Sequence, residues 1–213
     1  EKNKKVISVI DHWVNYKDRF LFNNKYIFPD EIWVGDFDAK KLAEEIFHNI
    51  PIVYEPNPYF LDIQDKIKFI KQNSNINSHD NHVLYVCEPI KDHAKLHYGN
   101  ERYWGYTEDD AIKYFFKNIR KVKKDIEKVI IRPHPSENIN KYKWVEKLSS
   151  IKVDFDCKTS LIEQISKVST IVGCQSMAMF IGILAEKNIY SSIPPQGGYC
   201  SLPQKQIKHI KSL

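Results

Sequence analysis

Short runs of β-branched and aliphatic residues alternate along this chain with stretches whose apolar residues recur every three or four positions. Residues 6–10 form the first run, closed by Asp11-His12-Trp13. Residues 32–34 form the second, led in by Pro29-Asp30-Glu31 and punctuated by Gly35-Asp36. Residues 38–47 read as a helix with Leu42, Ile46 and Phe47 along one side. Residues 50–53 read as a third strand, closed by Glu55-Pro56-Asn57-Pro58, whose prolines cannot continue a central ladder. A short charged helix over 61–71 follows. Residues 72–81 are almost wholly polar and make the clearest linker in the chain.

Beyond the linker the alternation becomes regular. Val83-Leu84-Tyr85-Val86-Cys87 is a continuous apolar run, the pattern of a strand buried on both faces. Thr107 stands as the cap of a helix that opens with Glu108-Asp109-Asp110, favourable at the positive end of a helix dipole. Its apolar positions Ala111, Ile112, Phe115, Ile119, Val122 and Ile126 keep helical spacing. Strands are expected at 129–131, 151–155, 170–172 and 189–193. Between them lie a helix carrying Tyr142, Val145 and Leu148, a short helix after Ser160 with a capping-box spacing to Glu163, and an apolar helix over 177–185. Alternating apolar strands and helices imply βαβ units and a parallel sheet covered on both faces. The expected class is therefore α/β. A Rossmann-like, doubly wound domain of about five strands over 82–213 follows the 72–81 linker, and residues 1–71 look like only part of a second α/β domain.

Composition narrows the field. With 42% apolar residues, 28% charged residues and 27 aromatic rings (11 Phe, 12 Tyr and 4 Trp), the chain has the makings of a folded core, not of a disordered segment. The longest apolar run, around 177–185, is about half the roughly 18 residues a spanning helix needs. A net charge of +5 is mildly basic, and nucleic acid is not an expected partner, because basic and aromatic residues are not interleaved as on a nucleic-acid-binding sheet. Basic residues concentrate at Lys113, Lys117, Arg120, Lys121, Lys123 and Lys124, and again at Lys205, Lys208 and Lys211. A solvated helix face explains the first group; attraction to anionic lipid headgroups or to an anionic substrate is the sharper reading. Cys87, Cys157, Cys174 and Cys200 are widely spaced, lie in or beside apolar stretches and form no CxxC pair, which suits free thiols in a reducing cytoplasm.

In an open parallel sheet, ligands bind beyond the carboxyl ends of the strands. That rule selects Glu88-Pro89, Arg132-Pro133-His134-Pro135, Gly173-Cys174-Gln175-Ser176 and Pro194-Pro195-Gln196-Gly197-Gly198. Neither the G-x-G-x-x-G fingerprint nor the G-x-x-x-x-G-K-[ST] loop is present. His134 stands out: flanking prolines stiffen its loop and aim the imidazole, and Arg132 nearby offers a cation for phosphate. At Ser176, a turn between a strand and an apolar helix offers backbone N–H groups, a hydroxyl and the positive helix end to a phosphate; Ser176 also suits a plain helix cap.

Val129-Ile130-Ile131-Arg132-Pro133-His134-Pro135-Ser136-Glu137, followed about forty residues later by Gly173-Cys174-Gln175-Ser176-Met177-Ala178, resembles the HP motif and serine motif of the bacterial sialyltransferase group of GT-B glycosyltransferases. Related capsule and lipopolysaccharide transferases share this order, and the likeness covers roughly residues 83–203. It implies that the second domain is the C-terminal, nucleotide-sugar-binding domain of a GT-B enzyme. By the resemblance His134 contacts or neutralises the donor phosphate and Ser176 hydrogen-bonds it. Arg132, Pro135, Glu137, Gly173 and Gln175 then lie at the nucleotide, with Pro195 and Gly197 in a loop beside it. The group's acidic motif, which supplies the general base, is not found. Glu108-Asp109-Asp110 lacks its glycine, and Asp11 or His12 is a base candidate on position alone, after a strand expected to face an interdomain cleft.

His93 and His97 are spaced i, i+4 but lack the intervening Glu and a third ligand, so no metal and no other cofactor is expected. Tyr103, Trp104 and Tyr106 offer a stacking surface or core packing. The expected activity is sugar transfer from a nucleotide donor, such as a CMP-sugar carrying a sialic-acid-like residue, to a glycan or glycolipid acceptor at the bacterial surface. The expected location is the cytoplasm, at the inner face of the membrane if the basic stretch binds lipid. A non-catalytic nucleotide-binding module and a nucleotide-sugar 2-epimerase are the rival readings. The chain begins Glu-Lys-Asn-Lys-Lys without Met, and with so short a first part it reads as an incomplete enzyme, its donor site present and much of its acceptor side gone.

Overall fold

The computed structural model describes residues 4–73 and 79–213. The chain divides into two compact units: one runs to Asp62 and includes Ser201–Gln204, and the other comprises Ile63–Cys200 and Lys205–Leu213.

In the first unit, β1 (Ile7–Ile10) is followed by a small antiparallel hairpin of β2 (Leu21–Phe22) and β3 (Lys25–Tyr26). Asn23 and Asn24 turn it with φ of 48° and 59°, the left-handed values a tight hairpin turn requires and asparagine tolerates. Then come β4 (Glu31–Val34), α1 (Phe37–Ile46) and β5 (Ile52–Tyr54), and the three longer strands form a parallel sheet in the order β1-β4-β5. Asp36 holds the head of α1. One carboxylate oxygen accepts from Ala39 N–H (2.8 Å) and the other from the Trp13 indole (2.9 Å), so the cap also fixes the buried Trp13. The boundary between the units falls within α2 (Pro58–Asn73). Of the stretch expected as a linker, Gln72 and Asn73 end this helix, 79–81 begin the next strand, and 74–78 lie outside the described residues.

The second unit carries β6 (His79–Val86), α3 (Ile90–Tyr98), α4 (Glu108–Lys117), α5 (Ile119–Val122), β7 (Lys128–Arg132), a 3-10 segment at Ile139–Lys147, β8 (Lys152–Phe155), α6 (Leu161–Lys167), β9 (Val168–Gly173), α7 (Met177–Leu184), β10 (Asn188–Ser191) and β11 (Ile207–His209). Its strands form one six-stranded sheet, all parallel, in the order β8-β7-β6-β9-β10-β11. The first three strands wind one way from β6 and the last three the other, so the order reverses between β6 and β9. The unit is thus α/β and Rossmann-like. Side-chain alternation explains the two covered faces. Val83, Tyr85 and Val172 pack with Ile112 and Phe115 of α4 and with Tyr142. On the opposite face, α7 approaches so closely that a Cβ on Gly182 would lie 2.5 and 2.6 Å from the Cδ1 atoms of Ile171 and Ile189.

Several elements depart from the sequence expectation. The apolar periodicity of 111–126 is interrupted at Asn118, whose side chain donates to the Tyr114 carbonyl (2.9 Å) and closes α4 before α5 begins. Residues Ile139–Lys147 coil as a 3-10 helix. Helix α3, which carries His93 and His97, and strand β11 are additional elements, so the sheet has six strands where about five were expected. The capping box of Thr107 is formed with Asp110. At Ser160 only half of the box forms, because Glu163 turns to Lys167 (2.6 Å). In the basic stretch, Lys113 lies over the Trp144 ring (5.2 Å) and Lys123 pairs with Asp125 (3.3 Å).

Candidate functional site

A pocket of about 350 Å³ opens where the strand order reverses. Glu88, Pro89, Ile90 and His93 line it from the segment after β6, His134 from beyond β7, and Gln175, Ser176 and Met177 from the turn between β9 and α7; Trp104 completes the wall. Three strand ends named from the sequence therefore meet in one place. A larger depression of about 680 Å³ lies between α2 and α6, away from the strand ends, with Phe69, Ile70 and Ile162 among its walls.

The turn after β9 is occupied from within. Glu88 Oε1 accepts the backbone N–H of Cys174 and of Gln175, both at 2.9 Å. Desolvation pushes the Glu88 carboxyl up to about 7, against the pull of the backbone N–H groups of Gln175, Cys174 and Ser176, and the negative charge of Glu137 adds to the rise. Ser176 caps α7 by accepting from Ala178 N–H (3.2 Å), which leaves its own hydroxyl hydrogen to donate. Gly173 is required by packing: a Cβ there would lie 2.8 Å from Val86 Cγ2 and 3.1 Å from Met179 Sδ.

His134 is exposed, and its loop sets its tautomer. Ser136 N–H donates to Nδ1 (3.3 Å) and the Ser136 hydroxyl lies 2.7 Å from the same nitrogen. With Nδ1 acting as acceptor, the neutral ring carries its proton on Nε2. Pro135 is exposed in the same turn, and the His134 N–H points to Glu137 Oε2 (3.3 Å). Glu137 itself is turned inward: the Tyr142 hydroxyl donates to it (2.8 Å) and Lys141 pairs with it (2.7 Å). Arg132 faces the next loop, its guanidinium donating to the Thr159 carbonyl (2.8 Å) and to Gln164 Oε1 (2.7 Å).

Asp92, Glu108 and Glu137 bring ligand-type oxygens within 4.8 Å of one another, but the cation among them is the Lys141 ammonium. It is 3.3 Å from Asp92 and 2.7 Å from Glu137, and it also pairs with Glu108. Burial works against the Lys141 charge, yet the carboxylates of Glu108 and Glu137 raise its pKa overall.

His93 stacks on Trp104 (5.6 Å between centroids, 16°) and meets His97 edge-on at 4.3 Å, so this histidine pair belongs to an aromatic cluster that also holds Tyr98 and Tyr103. Tyr106 is buried, against Gly197. The loop carrying Pro195 and Gly197 is tied down by Lys211, which donates to the carbonyls of Gly197 (3.3 Å) and Gly198 (2.8 Å). Gly105 (φ +83°) lies against it, where a Cβ would come within 2.5 Å of the Gln196 carbonyl oxygen.

Asp11 and His12 belong to the first unit. Asp11 lines a pocket of about 340 Å³ at the carboxyl ends of that unit's strands, with Trp33, Gly35, Glu55 and Asn57. His12 accepts the Trp13 N–H at Nδ1 (3.0 Å), and burial lowers its pKa against the opposing charge of Asp11. All four cysteines are free; Cys87 and Cys174 are buried, whereas Cys157 is exposed. Among the described residues, no helix is long and apolar enough to cross a membrane.

No protein-family model and no curated protein matches the sequence. Among solved structures, similarity is found to the KpsC β-Kdo 2,7-transferase of Thermosulfurimonas dismutans, with 13% identity and a TM-score of 0.45 over 98% of this chain and 71% of that one. It is also found to a glycosyltransferase from Rickettsia africae ESF-5, with 11% identity and a TM-score of 0.39 over 87% of this chain and 50% of that one.

Among the polar pocket residues, Glu88 was selected from the sequence only as part of a strand end, without a chemical role, and His93 was weighed only as a metal ligand. Glu88 had one visible signal, an acidic side chain placed directly after a wholly apolar strand.

Proposed function

We propose that this chain is the donor-binding part of a glycosyltransferase that uses a nucleotide-activated sugar. The observation that carries the reading is the convergence of His134, Ser176 and Gln175 on one pocket at the reversal of strand order, the place where doubly wound sheets bind nucleotides. The His134 Nε2–H and the Ser176 hydroxyl are the donors that would meet the phosphate, and both strengthen their hold as charge develops on the departing oxygen. In the transfer, the bond between the anomeric carbon and the phosphate oxygen breaks. The acceptor hydroxyl forms the new glycosidic bond and gives its proton to a base, for which Asp11 and His12 are the candidates in this chain. A CMP-sugar donor with a sialic-acid-like residue, a surface glycan or glycolipid acceptor, and contact of the basic stretch with anionic lipid belong to the same reading; the HP and serine motifs are its support.

Titration with CMP and UDP by calorimetry tests it. Saturable binding of a cytidine nucleotide is expected, weakened about tenfold by His134→Ala and by Ser176→Ala, the scale of one charge-assisted hydrogen bond. Binding that survives both substitutions overturns the site. Binding without nucleotide release on addition of a glycan acceptor favours a nucleotide-binding module, and a sugar inverted without acceptor favours an epimerase.

A further inference from the structure

The backbone cradle at the head of α7 is the natural phosphate seat in this pocket, yet its Cys174 and Gln175 N–H groups already hold the Glu88 carboxylate at 2.9 Å. Two anions cannot share so small a cradle; at such separations in a partly desolvated site their repulsion exceeds what the N–H groups supply. We propose that Glu88 sets the specificity of the pocket: it stands as an internal anion in the cradle, and a ligand phosphate enters as Glu88 takes up a proton from solvent. The inference rests on the reading of the pocket as a phosphate-binding donor site.

The surroundings of Glu88 support an exchangeable role. Its ionised form is held by backbone dipoles, and the charge that acts on it most, Glu137, is itself negative. Of the lysines at this end of the sheet, Lys141 is engaged with Asp92, Glu108 and Glu137, and Lys91 with Glu101. The other titratable groups facing Glu88 are Tyr85 and Cys87 of β6 and its end, Cys174 of the β9–α7 turn, and Tyr106 before α4. Burial raises all four, so they remain uncharged around neutrality. The imidazoles of His93 and His134 share the pocket, so the test must isolate Glu88.

The probe is the methyl ester of CMP, a phosphodiester whose single charge does not change between pH 6 and 8. Calorimetry on the whole chain should show wild-type binding about tenfold weaker at pH 8 than at pH 6, the linkage expected of one carboxyl titrating near neutrality. Glu88→Gln, which keeps the accepting oxygen and cannot ionise, should abolish that difference and bind at pH 8 as tightly as wild type does at pH 6. At pH 7, wild type titrated in buffers of different ionisation enthalpy should take up about half a proton per ligand bound. Glu88→Gln, or Glu88→Ala as a second variant, should take up none, which assigns the proton to Glu88 and not to the imidazoles that share the pocket. An unchanged pH dependence in Glu88→Gln, weaker binding by it at both pH values, or no proton uptake by wild type overturns the proposal while leaving the donor site intact. Absence of binding in wild type at pH 6 overturns the donor-site reading, and the role of Glu88 with it.

Discussion

Two sets of carboxylates gather at the same end of the six-stranded sheet, and they meet their burial in different ways. Glu108 and Glu137, both nearly inaccessible, close on Lys141, with Asp92 on the outer side. Glu88 is met, among the described residues, by the backbone N–H groups at the head of α7. A cation on a side chain gives each carboxylate a direct counter-charge and locks three segments of chain together: the start of α3, the start of α4 and the His134 loop. Peptide dipoles compensate only in part, and the carboxyl they hold stays near the point of protonation. The first set is held by a fixed ion pair; the second is held by dipoles alone and stays open to protonation.

The largest effect should come from removing the cation. Lys141→Met leaves Glu108 and Glu137 facing each other with no counter-charge and should cost about 3 kcal/mol of stability. Urea unfolding at pH 7 measures it, and a loss under about 1 kcal/mol would show that Lys141 does not hold these segments together.

The second effect concerns pH. The Glu88 carboxyl is raised from 4.5 to about 7 in the folded chain, so the folded state binds more protons than the unfolded state between those values. Its contribution to stability is full below about pH 4.5 and is lost as pH rises to about 7, a difference of about 3 kcal/mol at most. Comparing wild type with Glu88→Gln across this range isolates the group. Parallel stability curves for the two chains would mean that the carboxyl titrates at its ordinary value.

The smallest effect tests how far the locked set depends on its neutral partner. Tyr142→Phe removes one hydroxyl donor to Glu137 and should cost about 1 kcal/mol, leaving the Lys141 pairs in place. A loss as large as that of Lys141→Met would shift the weight of the cluster from the ion pair to the tyrosine.

Much of this site could be read along the chain. The run Val83-Leu84-Tyr85-Val86-Cys87 declares a strand covered on both faces, and the rule that ligands sit past strand ends leads to His134 and Ser176 without any coordinates. What could not be read there was partnership. Arg132 has the charge and position for a phosphate, yet it turns to Thr159 and Gln164, two residues brought beside it by the β8–α6 connection. Glu137 has the same promise on paper, and Tyr142 and Lys141 turn it inward. Helix α3 escaped notice because its exposed Leu96 and Tyr98 blur the apolar stripe, and β11 because three residues carry no periodicity.

The amino-acid order alone determined the class of this protein, because strand burial and helix amphipathicity are periodic properties of neighbouring residues. It also determined which loops end strands, three of which line one pocket. Only the tertiary structure decided the strand order β8-β7-β6-β9-β10-β11, and with it the meeting of Glu88 with the head of α7, 86 and 87 positions further along the chain. That contact forms because β6 and β9 become neighbours in the sheet. Hydrogen bonds between strands, not the spacing of residues in the sequence, put the Glu88 carboxylate on the backbone N–H groups at the head of α7.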